Sequence, residues 1–128
     1  MGKIKVLLAD SSTFTRIMLS NALEILGFEV VAVAKNGKEV LDKFTEHNPD
    51  IALIDLELGG ADGISTIRTL TEHYPSTAVA LMMPENKDEP DIIVEAVRAG
   101  AKAYIKKPTS GEEVKQRLDR LLKKGGER

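Results

Sequence analysis

Five short apolar runs punctuate the chain, at residues 4–9, 28–34, 51–55, 77–83 and 103–106. They are dominated by Val, Ile, Leu and Ala and are nearly continuous rather than alternating. Runs of this kind predict strands that are covered on both faces. Between them the apolar positions take helical spacing. The first helical segment carries Phe14, Met18, Ala22 and Ile25 on one stripe and stops at Gly27, with Ser11 or Ser12 as its cap. The second begins near Asn36-Gly37, buries Val40, Leu41 and Phe44, and ends before Asn48-Pro49. The third carries Ile64, Ile67 and Leu70 and ends near Tyr74-Pro75. The fourth starts near Pro90, a good first-turn residue, and buries Ile93, Ala96 and Val97 before Gly100. The fifth is capped by Thr109 or Ser110 and sets Val114, Leu118, Leu121 and Leu122 on one face.

Strands that alternate with helices through short connections predict an α/β fold, a doubly wound (βα)5 parallel sheet with helices on both faces. Five strands suit the flavodoxin-like order 2-1-3-4-5. The chain has 128 residues, 42% of them hydrophobic and 30% charged, which suits one globular domain. The expected core covers residues 3–124, and residues 125–128 read as a frayed tail or the start of a linker.

The net charge of −2 offers no footprint for direct nucleic-acid binding. There is no cysteine, so thiolate metal sites and disulfides are excluded. The N-terminal apolar stretch is interrupted by Asp10 and is too short for a signal or membrane segment, so a cytoplasmic protein without membrane contact is expected.

In such a sheet, ligands bind at the carboxyl ends of the strands. Asp10 follows the first run, Asp55 ends the third, and Lys107 follows the fifth. Acids at strand ends often do no more than cap helices. Two carboxylates and an ammonium converging on one edge suggest more, namely Mg²⁺ and a phosphoryl group. Mg²⁺ takes hard oxygen ligands. An ammonium neutralises a phosphoryl oxygen, and an aspartate can be a nucleophile.

With these residues in place, the chain resembles the receiver domain of two-component response regulators over about residues 3–124. The resemblance rests on Val6-Leu7-Leu8-Ala9-Asp10-Ser11-Ser12 with Arg16 beyond, and on Pro49-Asp50-Ile51-Ala52-Leu53-Ile54-Asp55-Leu56. Ala61-Asp62-Gly63 and the stretch from Ala99 to Lys107-Pro108 complete it. It implies a phosphorelay protein that takes a phosphoryl group on Asp55 from a histidine kinase or phosphotransfer protein. Such a protein is no enzyme beyond its own phosphotransfer and dephosphorylation. The resemblance further implies Mg²⁺ held by Asp10, Asp55 and the Glu57 main-chain carbonyl, with Lys107 on the phosphoryl group. Tyr104 would be the switch aromatic, the Lys107–Pro108 bond would be cis, and output partners would dock on the fourth helix, fifth strand and fifth helix.

Two positions depart from the pattern. The family usually has a second acid after the first strand, where this chain has Ser11, a neutral and doubtful ligand that should weaken Mg²⁺ binding. Glu57 or Glu85 is the candidate replacement carboxylate. The fourth strand usually ends in Thr or Ser. Here Met83 takes that place, with Met82 as the other choice, and a thioether donates no hydrogen bond. The turn Leu56-Glu57-Leu58-Gly59-Gly60 also has glycine where proline is typical, which predicts a looser loop.

Other residues have plainer readings. His47 and His73 sit at helix ends, where the macrodipole favours them. Met18, Met82 and Met83 fill core or loop-edge gaps. Residues 85–89 form a solvated loop, and Lys115, Arg117, Arg120, Lys123 and Lys124 form a basic flank on the last helix.

The phosphoacceptor switch competes with a pseudo-receiver, an interaction module independent of phosphate. A flavin-binding protein is a third reading, from the faint likeness of Ser11-Ser12-Thr13-Phe14-Thr15 to a phosphate loop, but that turn lacks glycine. An aspartate-nucleophile phosphatase would need a cap domain and an acid two residues past the nucleophile, a requirement that Glu57 barely meets.

Overall fold

The computed structural model describes residues 2–58, 61–84, 90–107 and 110–126, without the side chains of residues 61 and 123–126. The five expected strands are β1 (Lys5–Ala9), β2 (Glu29–Ala34), β3 (Ile51–Asp55), β6 (Ala78–Met83) and β7 (Ala103–Lys106). They form one parallel sheet in the order β2-β1-β3-β6-β7, the expected 2-1-3-4-5 arrangement. The intervening helices are α1 (Thr13–Ile25), α2 (Gly37–His47), α3 (Gly63–His73), α4 (Pro90–Ala99) and α5 (Gly111–Gly126). Among the described residues, no helix is long and apolar enough to cross a membrane.

The alternation of side chains along each strand divides the core in two. On β3, Ala52 and Ile54 face Val40 and Phe44 of α2, Ile67 and Leu70 of α3, and Ala96 of α4. Ile51 and Leu53 face the opposite layer, with Leu19 and Leu23 of α1 and Val114 and Leu118 of α5. Every residue of β3 is buried, which is why the run is apolar without a break. Each fully buried Leu or Ile contributes about 1.5–3 kcal/mol, so the central strand is the best-anchored part of the chain.

Helix starts and stops follow local chemistry. Ser12, rather than Ser11, caps α1, its Oγ accepting from the Thr15 N–H at 3.2 Å. Asn36 caps α2 and Asp62 caps α3 in the same manner. Ser110 Oγ accepts from Glu113 N–H at 3.2 Å at the start of α5, while Thr109 lies outside the described residues. Gly27 and Gly100 adopt φ of +102° and +121°, the left-handed conformation that ends α1 and α4.

Four expectations need correction. The stripe Phe14, Met18 and Ile25 does not face the core: Phe14 is 71% exposed and Ile25 84%, while Leu19 and Leu23 are buried. α1 carries apolar residues nearly all round, so spacing alone does not choose the face, and the sheet does. Met18 is therefore exposed rather than a gap filler, whereas Met82 and Met83 are buried. Val97 of α4 is likewise exposed, because the small side chains of Ala96 and Ala99 make the close contact with the core. Last, α5 continues through Gly126, past residue 125 where the tail was expected to begin. Half-buried Leu121 and Leu122 anchor the preceding turn, and propagation adds one hydrogen bond per residue.

Candidate functional site

β1, β3 and β7 end together at the carboxyl edge of the sheet and deliver the three expected residues to one point. Asp10 leaves β1 with its N–H bonded to the Ala34 carbonyl at 3.0 Å. Both of its carboxylate oxygens are engaged. Oδ1 accepts from Ser12 N–H at 2.9 Å and Oδ2 from Lys107 Nζ at 2.7 Å. The Arg16 guanidinium donates to the Asp10 carbonyl at 2.6 Å and ties the first turn of α1 to the end of β1. Asp10 and Asp55 are both buried.

Asp55 shares the same ammonium, with Oδ2 3.3 Å from Lys107 Nζ, while its Oδ1 is buried and has no partner. Burial, and then the Asp10 charge, push the Asp55 carboxyl up to about 6 from its ordinary 3.8. Lys107 and the Glu57 N–H pull against that rise without cancelling it. Burial pushes the Lys107 ammonium down, but the bond to Asp10 and the charges of Asp55 and Asp10 outweigh it and leave Lys107 raised. The Lys107 N–H also bonds the Met83 carbonyl at 2.7 Å, so the lysine is positioned by the last pairing of the sheet.

Beyond Asp55, where the sequence predicts a loose loop, the chain forms a short antiparallel hairpin, β4 (Glu57–Leu58) with β5 (Ala61–Asp62). Gly63 then starts α3 directly under the site, its N–H bonded to the Leu56 carbonyl at 2.7 Å. A Cβ at Gly63 would collide with the Asp55 carbonyl oxygen and come within 2.9 Å of Leu56 Cα. Sequence reasoning missed this contact and the one from Arg16, since nothing local announces either.

Ser11 is exposed, and its hydroxyl donates to the Glu57 carbonyl at 3.3 Å. The Glu57 side chain is exposed, and among the described residues no cluster of three or more His, Cys, Asp or Glu is placed to hold a metal. Glu85, residues 85–89 and the Lys107–Pro108 bond lie outside the described residues. The donor set is nonetheless of the kind a hard divalent cation accepts: a buried carboxylate oxygen without a partner, a second carboxylate and a main-chain carbonyl.

Met83 is fully buried and shares its core layer with the half-buried Tyr104; Met82 points into the opposite layer. The face formed by α4, β7 and α5 holds a groove of about 290 Å³, lined by Ile93, Val97, Tyr104, Arg117 and Arg120 among others. Arg117 stacks over the Tyr104 ring at 5.7 Å from its centroid. Lys115, on the same expected basic flank, instead pairs with Asp119 at 2.5 Å. His47 and His73 close α2 and α3, with His73 Nδ1 2.9 Å from the Thr69 carbonyl.

The family model "response regulator receiver domain" matches residues 6–119. The chemotaxis protein CheY of Thermotoga maritima is 32% identical over 123 residues, covering 96% of this chain and 100% of that protein. CheY of Bacillus subtilis is 30% identical over 118 residues, covering 92% and 97%. Among solved structures, the signal receiver domain of the response regulator NarL from Mycobacterium tuberculosis superposes with a TM-score of 0.86 at 29% identity, covering 95% of this chain and 98% of that one.

Proposed function

Since the chain belongs to the family of response regulator receiver domains, a two-component signalling fold, we propose that it accepts a phosphoryl group on Asp55 from a histidine kinase or phosphotransfer protein. The observation that carries this reading is the free, buried Oδ1 of Asp55 beside Lys107. A carboxylate raised to about 6 is still ionised at neutral pH, and burial has stripped it of the water that would blunt its nucleophilicity. Its oxygen attacks phosphorus, the phosphorus–nitrogen bond of the donor phosphohistidine breaks, and the imidazole leaves with that electron pair. Lys107 supplies a fixed positive charge for the incoming phosphoryl oxygens, and Arg16 ties the Asp10 main chain to the first turn of α1.

Receiver domains generally bind Mg²⁺ at this acidic edge. In this chain Asp10, Asp55 and the Glu57 carbonyl are the groups that would hold it. Bound there, the ion would offset the charge that gathers on the phosphoryl oxygens.

Two surfaces suit the partners. α1 begins three residues past Asp10, and its exposed Phe14, Ile17, Met18 and Ile25 form an apolar stripe leading to the site, which suits a phosphodonor helix. The groove of α4, β7 and α5 contains Tyr104 and suits the output partner. Met83 in place of a hydroxyl leaves no side-chain donor to report the phosphoryl group to Tyr104, which argues for weak coupling between the two.

A second reading, a pseudo-receiver that binds partners regardless of phosphate, is favoured by Ser11 and Met83 together. Intact-mass measurement after incubation with acetyl phosphate, with and without Mg²⁺, separates the two. A phosphate adduct that is absent in Asp55→Ala supports the acceptor. No adduct at any Mg²⁺ concentration sinks it in favour of the pseudo-receiver.

A further inference from the structure

The phosphoacceptor reading does not say when the divalent ion arrives, and here the residues around Ser11 are specific. Among the described residues, every polar group of the site named above but one already has a partner. Lys107 holds Asp10 at 2.7 Å and Asp55 at 3.3 Å. The second Asp10 oxygen is taken by Ser12 N–H. The Glu57 carbonyl receives the Ser11 hydroxyl at 3.3 Å. Only Asp55 Oδ1, on a side chain 4% exposed, is left without a partner.

That arrangement is half neutralised from within. Lys107 offsets one of the two carboxylates, and among the described residues no third acid joins them. Mg²⁺ sheds its water reluctantly and is usually bound through one or two carboxylates together with phosphate oxygens. A single vacant carboxylate oxygen is a poor inducement. A phosphoryl group changes the balance, since it adds strongly accepting oxygens and close to two negative charges at the same point.

We infer that Ser11 acts as a latch on metal entry: its hydroxyl closes the Glu57 carbonyl, so that the resting protein holds divalent ions weakly and takes them up together with the phosphoryl group. The inference rests on the phosphoacceptor reading of Asp55. Coupling of this kind is reciprocal, so the ion must favour phosphorylation by the same factor by which the phosphoryl group favours the ion. The Ser11 bond is long for O–H···O, so the latch is a light one, and the missing carboxylate supplies most of the effect.

The test is Mn²⁺ binding, followed through the loss of the free-ion electron paramagnetic resonance signal, with and without beryllofluoride as a phosphoryl mimic. Wild type, Ser11→Asp, Ser11→Ala and Asp55→Ala are compared, with circular dichroism to verify folding; position 11 is exposed, so the fold is expected to tolerate both changes. Beryllofluoride should tighten Mn²⁺ binding to the wild type at least ~10-fold, and Asp55→Ala should abolish the gain. Ser11→Asp should bind Mn²⁺ at least ~10-fold tighter than wild type before any mimic is added, and gain less from it. Ser11→Ala, with the latch removed, should bind Mn²⁺ more tightly than wild type before any mimic is added.

An unchanged wild-type affinity on adding beryllofluoride overturns the inference. So does a Ser11→Ala protein that binds Mn²⁺ no more tightly than wild type; several-fold weaker binding would make the hydroxyl a ligand. Acetyl phosphate labelling of Asp55 without metal coupling removes the latch and leaves the acceptor standing, whereas no labelling removes both.

Discussion

The Lys107 ammonium lies 2.7 Å from the Asp10 carboxylate, joining the end of the last strand to the end of the first across 97 residues of chain. This contact closes the candidate site and sets its electrostatics, because the same ammonium serves Asp55 at 3.3 Å.

Lys107→Met should destabilise the protein, since it leaves two buried carboxylates facing each other without a cation. Losing one partner of a fully buried pair costs about 3–5 kcal/mol. The Lys107 side chain is 21% exposed, so a loss on the order of 2–3 kcal/mol is expected. Urea unfolding at pH 7 and at pH 4.5 checks the cause. The deficit should shrink at the lower pH, where Asp55 takes up a proton; an equal deficit at both would mean that charge is not the reason.

Asp55 predicts a pH dependence of its own. Its folded pKa of about 6 lies above the ordinary 3.8, so between those values the folded state binds the proton more firmly. Stability contributed by this group is therefore present below about pH 4 and is lost as pH rises through 6. In metal-free buffer, Asp55→Asn should be more stable than wild type at pH 7.5 by on the order of 1–2 kcal/mol, with the advantage vanishing by pH 4. Labelling by acetyl phosphate should fall as pH drops below 6, because the nucleophile is then protonated.

Gly63→Ala probes the support beneath Asp55, the proposed acceptor. The added methyl meets main-chain atoms of Asp55 and Leu56, which have no free side-chain end to move aside. A cost of about 1–3 kcal/mol is expected, as for overpacking elsewhere. Thermal melts, with slowed labelling of Asp55, would confirm it; an unchanged melting temperature would show that the turn relaxes freely.

The apolar stripe on α1 can be tested without disturbing the core, since Ile17 and Ile25 are exposed. Ile17→Lys should slow phosphotransfer from the protein donor at least ~10-fold while leaving labelling by acetyl phosphate unchanged, a loss typical of one interface anchor. Equal slowing with both donors would place the effect in the site and not in docking.

Met83→Thr restores a hydroxyl at the end of β6. Met83 is fully buried, so a loss of about 2–4 kcal/mol is expected from its removal. The gain would be a link to Tyr104. Nuclear magnetic resonance of the Tyr104 ring should show a larger beryllofluoride-induced change in the variant than in wild type. Identical changes would mean that the coupling does not pass through this position.

Much of this arrangement was legible in the residues. Continuous apolar runs ending in Asp10, Asp55 and Lys107 required a sheet buried on both faces, and parallel strands with short crossovers bring such ends to one edge. The helix limits could be read for the same reason: Ser12, Asn36, Gly27 and Gly100 act on their immediate neighbours, and neighbours are what a sequence displays.

What the tertiary structure alone decided involves choices between equivalents or bonds across long separations. α1 has two apolar stripes, and only docking against the sheet selects Leu19 and Leu23 for burial and leaves Phe14 and Ile25 in solvent. Nothing near Ser11 reveals that its hydroxyl reaches the Glu57 carbonyl 46 residues away, or that Gly63 must lack a side chain because the Asp55 main chain passes against it. Local sequence determines which elements form and where they end. The pairing of their surfaces determines which side chains meet, because burial energy depends on what lies opposite.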